Sequence, residues 1–275
     1  MIVRALTGIV FIGVIIGSLL WSPHAVTALF MGFMILGVCE FYGLFKKHDK
    51  VDVYSGLVMS LALIISALGI LSFYDVISTS LFIISLLPIL FIGLVSEIWR
   101  KKKEPLLNSA VMMLGMVYVV LPFLLLIGMH ISLESLHSNG FLSSSSFPVA
   151  LGMFLLIWTN DTFAYLSGRS FGKTKLIERV SPNKTWEGTI GGILMTLIVG
   201  GVIGYLNHNL MFWIVGAAII APCAIIGDLF ESVLKRNLGI KDSGTILPGH
   251  GGILDRLDGI FLGIPFGFLD LIFFI

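Results

Sequence analysis

The residues able to do chemistry in this chain gather in a few short stretches. "IIGDLFESVLKR" carries Asp228 and Glu231 three positions apart, a spacing that puts both carboxylates on one face of a helix. "GGILDRLDG" repeats the spacing with Asp255 and Asp258. Such oxygen ligands suit a hard divalent cation, since Mg²⁺ takes one or two carboxylates and lets substrate phosphates complete its shell. Stabilisation of a helix N-terminus explains one acid of this set well and four poorly. Asp161 in "WTNDTFAY" adds another carboxylate, with Thr159 and Asn160 as further oxygen donors. An interhelical hydrogen bond is the structural alternative for Asp161.

Bases stand beside these acids. "SVLKRNLGIKDSG" supplies Ser232, Lys235, Arg236 and Lys241, followed at once by Asp242. "GRSFGKTKL" and "SPNKTWEG" supply Arg169, Lys173, Lys175, Ser181 and Lys184. One ligand type needs both signs together: metal-bound polyphosphate, whose metal takes carboxylates while the remaining phosphate charge takes Lys and Arg. In "PGHGG", Gly251 and Gly252 let backbone approach a phosphate closely, because glycine has no Cβ. His250, between Gly249 and Gly251, is open to three roles: acid or base, phosphate ligand, or turn residue. "GRSFGKT" ends like a phosphate-binding P-loop but has one residue too few between its glycines.

The elements that must position these groups are membrane helices. The chain has 275 residues, of which 57% are hydrophobic and only 12% charged, against about 25% charged in ordinary soluble domains. Its mean hydropathy is +1.02. Apolar runs near 5–21, 25–45, 55–73, 80–98, 106–129, 148–168, 188–206, 210–230 and 259–275 each suit a bilayer core. The expected fold is therefore an all-α polytopic integral membrane protein with about nine spans. It forms a single membrane domain over 1–275, with N-terminal helices over about 1–129 and catalytic helices and cytoplasmic segments over about 148–275. The first run lacks a small-residue cleavage site and reads as a retained anchor. Cys39 and Cys223 both fall in apolar runs, which excludes a disulfide framework.

Nine spans put all 17 Lys and Arg residues on one side, and a miscount by one would scatter them. The positive-inside rule then places the N-terminus in the cytoplasm and the C-terminus outside. Residues 169–187 and 231–258 become the two long cytoplasmic segments. "KKHDKVD" and "RKKKEP" read as topology determinants and anionic-lipid contacts. Glu40 and Glu97 read as snorkelling ion-pair partners of neighbouring bases, and Asp270 as an interfacial residue near the outer end of the last span.

With these residues in place, the segment Ser232-x-Leu234-Lys235-Arg236, Lys241-Asp242-x-Gly244, Leu247-Pro248-x-His250-Gly251-Gly252-Ile253-x-Asp255-Arg256-Leu257-Asp258 resembles the signature of the phosphatidate cytidylyltransferase (CDP-diacylglycerol synthase) family of bacteria. All fixed positions over these 27 residues are filled. "NDTFAYLSGRSFGKTKL" and "SPNKTWEG" are similar to a second block of the same family. The resemblance implies transfer of CMP from CTP to phosphatidic acid, giving CDP-diacylglycerol and pyrophosphate. It also implies Mg²⁺ dependence with a monovalent cation such as K⁺ beside it, a homodimer in the cytoplasmic membrane, and a polar cavity open to the cytoplasm. By position Asp228 and Asp255 hold the metals, with Asp161, Glu231 and Asp258 nearby. Lys235, Arg236, Lys241, Lys184, Lys173, Arg256, Ser181 and Ser232 then serve the phosphates, with Gly251 and Gly252 close by. Asp242 and His250 order the loop or assist the leaving group. No nucleic-acid partner is expected. A CTP-dependent polyprenol kinase is the nearest rival. A secondary transporter fits less well, because transporter sites lie near the midplane in paired repeats and these charges gather at one boundary.

Overall fold

The computed structural model describes residues 2–46, 51–138, 148–247, 249 and 251–274. Helices account for most of the chain: α1 (Ile2–Trp21), α2 (Pro23–Phe45), α3 (Ser55–Phe73), α4 (Thr79–Arg100), α5 (Pro105–Gly115), α6 (Leu121–Ser138), α7 (Val149–Phe171), α8 (Trp186–Leu206), α9 (Leu210–Asn237) and α10 (Leu254–Phe274). A π-helical turn over Met116–Val120 joins α5 to α6. Among the described residues, eight helical stretches are long and apolar enough to cross a bilayer, Pro105–Ile131 counting as one, and α1 adds a shorter apolar run, Leu6–Trp21. The chain is an all-α polytopic membrane protein, and its helices coincide with the nine apolar runs of the sequence.

The chain forms two compact units. The described residues within 1–138 pack together with those of 242–256, and those within 139–241 pack with 257–274. Residues 242–256 of the signature segment thus pack with the N-terminal unit, and its two ends with the second. Within that unit Phe30, Phe41, Phe123, Leu126 and Ile127 are fully buried. The Tyr42 hydroxyl donates to the Met112 carbonyl at 2.7 Å, tying α2 to α5.

Two bases of the cluster at the end of α4, Arg100 and Lys102, are ion-paired. Arg100 pairs with Glu97 and with Asp52 (3.1 Å), and Lys102 pairs with Asp52 at 2.5 Å. The hydrogen bond from Lys102 holds the Asp52 carboxyl below its usual range. Glu97 is therefore an ion-pair partner as expected, but it is buried and also accepts from Asn108 Nδ2 at 3.1 Å. Glu40 and Asp270 are both buried within the protein. Asp270 of α10 lies against Gly216 of α9, and its Oδ2 has no hydrogen-bond partner among the described residues.

In the second unit, α7 and α8 pack through glycine. A Cβ on Gly188 would stand 2.6 Å from the Ala164 carbonyl oxygen and 3.0 Å from Gly168 Cα, so only hydrogen permits this approach. One feature has no counterpart in the sequence reading: a two-stranded antiparallel hairpin, β1 (Lys175–Ile177) and β2 (Ser181–Thr185), between α7 and α8. "GRSFGKT" straddles the C-terminus of α7 and the loop before β1, an arrangement unlike the strand–loop–helix of a P-loop.

Candidate active site

In the second unit, the sequence between α7 and α8 must turn the chain and cap a helix. Thr185 caps α8, its Oγ1 accepting the Gly188 N–H at 3.2 Å. Glu187 in the first turn of α8 accepts the N–H groups of Lys173 and Thr174, each at 3.1 Å. The Trp186 N–H donates to the Thr174 carbonyl at 3.0 Å. These bonds pin the hairpin onto the start of α8, and with it Lys184.

A cavity of about 410 Å³ opens there, lined by Asp161, Arg169, Lys184, Thr185, Gly188 and Asp228 among others. The Lys184 ammonium pairs with the Asp228 carboxylate across it. Ser232 Oγ lies 3.5 Å from Asp228 Oδ1, and Lys235 pairs with Glu231 at 3.2 Å. The spacing argument holds for this pair: α9 runs unbroken to Asn237, so Asp228 and Glu231 do share one helix face. The same continuity makes residues 231–237 helix rather than loop, with Glu231 and Lys235 as an i, i+4 pair.

For the second acid pair the spacing argument fails. Leu257 has φ −121° and ψ 15°, which breaks the helical path of α10 between Asp255 and Asp258. The two carboxylates consequently serve different surroundings. Asp258 feels the charges of Asp228, Glu231 and Asp161, so these four acids form one electrostatic cluster. Asp255 belongs to the N-terminal unit, where its Oδ2 accepts the N–H groups of Ser243 and Gly252, each at 2.8 Å.

That loop is closed by further local chemistry. The Leu247 N–H donates to the Gly251 carbonyl at 2.9 Å. Gly249 and Gly251 have φ of 76° and 84°, in the region that glycine alone enters freely. Gly251 and Gly252 are thus placed by backbone geometry and contact with carboxylates. Glu40 of α2 reaches the same loop: its Oε1 accepts the Ile253 N–H and its Oε2 the Leu254 N–H, both at 3.0 Å. Among the described residues the partners of Glu40 are thus two amides at the start of α10 and the Ser243 hydroxyl, with no base among them.

The structure thus brings Asp161, Lys184 and Asp228 to one cavity, adds Arg169, and sets Glu231, Ser232, Lys235 and Asp258 around the same end of α9. Lys173, Arg236, Lys241, Asp242 and Arg256 are exposed, and Ser181 opens β2 opposite Ile177. His250 and Pro248 lie outside the described residues. Sequence reasoning missed Glu187 and the loop contacts of Glu40. An acid in the apolar run "GVCEFYG" was the available signal for Glu40, since an intramembrane charge needs a partner.

The fold and the cavity define a polytopic membrane protein that confronts carboxylates with bases at a helix N-terminus, an arrangement suited to metal and phosphate. A sequence model of the cytidylyltransferase family matches residues 2–274, and the chain belongs to that family. Among named relatives, phosphatidate cytidylyltransferase of Haemophilus influenzae is 43% identical over 124 residues, covering 42% of this chain and 43% of that protein. The enzymes of the same name from Staphylococcus saprophyticus and Staphylococcus aureus are 38% identical over 184 residues, covering 66% of either chain. The matched stretches thus span less than two thirds of the length of each relative.

Proposed function

We propose that this protein transfers CMP from CTP to phosphatidic acid, releasing pyrophosphate and leaving CDP-diacylglycerol. The observation that carries the reading is the cavity in which Asp161 and Asp228 stand with Lys184 and Arg169 at the N-terminus of α8, in a chain of the cytidylyltransferase family. The relatives' name supplies the two substrates.

In this reaction a phosphate oxygen of phosphatidic acid bonds to the α-phosphorus of CTP, and the bond from that phosphorus to the bridging oxygen of pyrophosphate breaks. A phosphate monoester loses its second proton near pH 6, so the nucleophile is already ionised at neutral pH and needs no strong base. The task left to the protein is to hold two polyanions in line. Lys184 and Arg169 meet phosphate oxygens, and the start of α8 favours negative charge beside them.

Two cavity carboxylates, Asp161 and Asp228, suit Mg²⁺, which needs only one or two with phosphates completing its shell. Among the described residues no three Asp, Glu, His or Cys side chains converge to hold an ion. Asp258 feels the charges of Asp161, Asp228 and Glu231, while Lys184 pairs with Asp228 and Lys235 with Glu231. Asp228 and Asp161 would hold the ion, and it would neutralise phosphate charge and stabilise the departing pyrophosphate. Asp255 carries the same role by resemblance, and K⁺ would accompany Mg²⁺. The seventeen bases on one side of nine spans support a cytoplasmic N-terminus, an external C-terminus and a site facing the cytoplasm, in the cytoplasmic membrane. A homodimer follows from the same resemblance.

The position of the transferred label tests the reaction type. Purified protein given CTP labelled at the α-phosphate should pass label to lipid, and CTP labelled at the γ-phosphate should not. Lipid labelled from the γ-phosphate would mean kinase chemistry and would refute cytidylyl transfer.

A further inference from the structure

Glu40 is a buried carboxylate on α2, more than two hundred residues before the loop it serves. It takes the Ile253 and Leu254 amides through separate oxygens, so its position fixes the first turn of α10 at two points. Ser243 links it to Asp255: the Ser243 hydroxyl lies 3.5 Å from Glu40 Oε2, while the Ser243 N–H donates to Asp255 Oδ2 at 2.8 Å. Gly252 makes a second link, since it packs against Glu40 and donates its N–H to Asp255. A Cβ on Gly244 would stand 2.7 Å from Glu40 Oε1, so this glycine is also shaped to the carboxylate. Below Glu40 on α2, a Cβ on Gly37 would meet Leu254 Cδ2 at 3.5 Å, which sets the depth of the contact.

Two carboxylates are therefore linked through Ser243, which bonds both, and through Gly252, which bonds Asp255 and packs against Glu40. We infer that Glu40 is a positioning residue for the reaction: it holds the 242–256 loop in the arrangement that orients Asp255. The charge of Glu40 is met by amides at a helix start, where negative charge is favoured. Glutamine at this position keeps the size but offers one acceptor oxygen, and its NH₂ confronts an amide N–H donor. Misplacement of a reacting or ligating group by about 1 Å costs on the order of 100-fold in rate. The inference rests on the cytidylyltransferase reading for its kinetic part and on the loop geometry alone for its structural part.

The experiment compares Glu40→Gln, Gly244→Ala and Glu97→Gln with the unaltered protein, each purified in detergent. Glu97 is a buried acid held by Arg100 and Asn108, away from the loop contacts. In Glu40→Gln, kcat for CDP-diacylglycerol formation should fall about 10–100-fold, with KM for CTP changed less than about threefold, on the order of a weak contact. Hydrogen exchange at the 252–254 amides should quicken in the same protein. Gly244→Ala should change both readouts in the same direction by displacing the carboxylate, and it stands in if Glu40→Gln fails to fold. Glu97→Gln should lower the melting temperature while leaving kcat of the folded fraction and loop exchange unchanged. Unchanged kcat with faster loop exchange would overturn the positioning role, as would lost kcat with unchanged loop exchange, or equal kcat losses in Glu40→Gln and Glu97→Gln. An unaltered protein with no cytidylyl transfer would instead refute the functional reading, and loop exchange would still report on the Glu40 contact.

Discussion

Lys184 and Asp228 show how one ion pair joins two parts of a site that are 44 positions apart in sequence. Both are half-buried, so each partner gains from the other more than an exposed pair would. Replacing Asp228 by Asn keeps the shape and removes the charge. Turnover should fall about 100–1,000-fold, the range seen when one electrostatic contact of a transition state is lost. A variant within threefold of the unaltered rate at equal expression would remove Asp228 from the site. Asp270 invites the opposite outcome. Its Oδ2 is buried without a hydrogen-bond partner among the described residues, and such a group costs stability. Asp270→Asn should therefore unfold at a temperature equal to or above that of the unaltered protein; a drop of several degrees would show that the carboxyl is needed for packing. At this scale the sequence singled out Asp161 and Asp228, which the structure brings to one cavity, because charge is scarce in the chain. It could not reveal that Asp270 is buried or that Glu40 binds amides, since both depend on neighbours distant in sequence.

Helices and turns were legible to different degrees. Apolar runs announced the spans, because a bilayer demands about twenty apolar residues per crossing. The hairpin of β1 and β2 left no such mark: its strands have three and five residues, and "SPNKT" contains a proline and no apolar alternation. Its placement depends instead on Glu187 and Thr185 at the start of α8. The break at Leu257 was equally hidden, as the i, i+3 spacing of Asp255 and Asp258 reads as continuous helix. Glycine contacts offer a direct test of the α7–α8 packing. Gly188→Leu drives a side chain into the Ala164 carbonyl and Gly168, and overpacking of this kind costs about 1–3 kcal/mol. Thermal unfolding in detergent should shift down by several degrees, whereas an unchanged midpoint would show that α7 and α8 separate without cost. Gly201, whose added Cβ would meet nothing within 4 Å, is the matched control.

For the whole molecule, the distribution of charge carries most of the information. Nine spans would put every Lys and Arg on one side, which is the basis of the proposed orientation, and the nine apolar runs return as helices in the structure. Reporter fusions at the two ends should report a cytoplasmic N-terminus and an external C-terminus; the same side for both would require an even number of crossings. What the sequence concealed at this scale is the grouping of residues 242–256 with the N-terminal helices, which only the contacts of Glu40 and Leu254 make evident. The central claim concerns the reaction, and its most direct measurement is product formation by the purified protein from CTP and phosphatidic acid in Mg²⁺. CDP-diacylglycerol and pyrophosphate should appear one for one, stop on chelation, and resume when Mg²⁺ is restored. Folded protein that forms no CDP-diacylglycerol under these conditions would contradict the account.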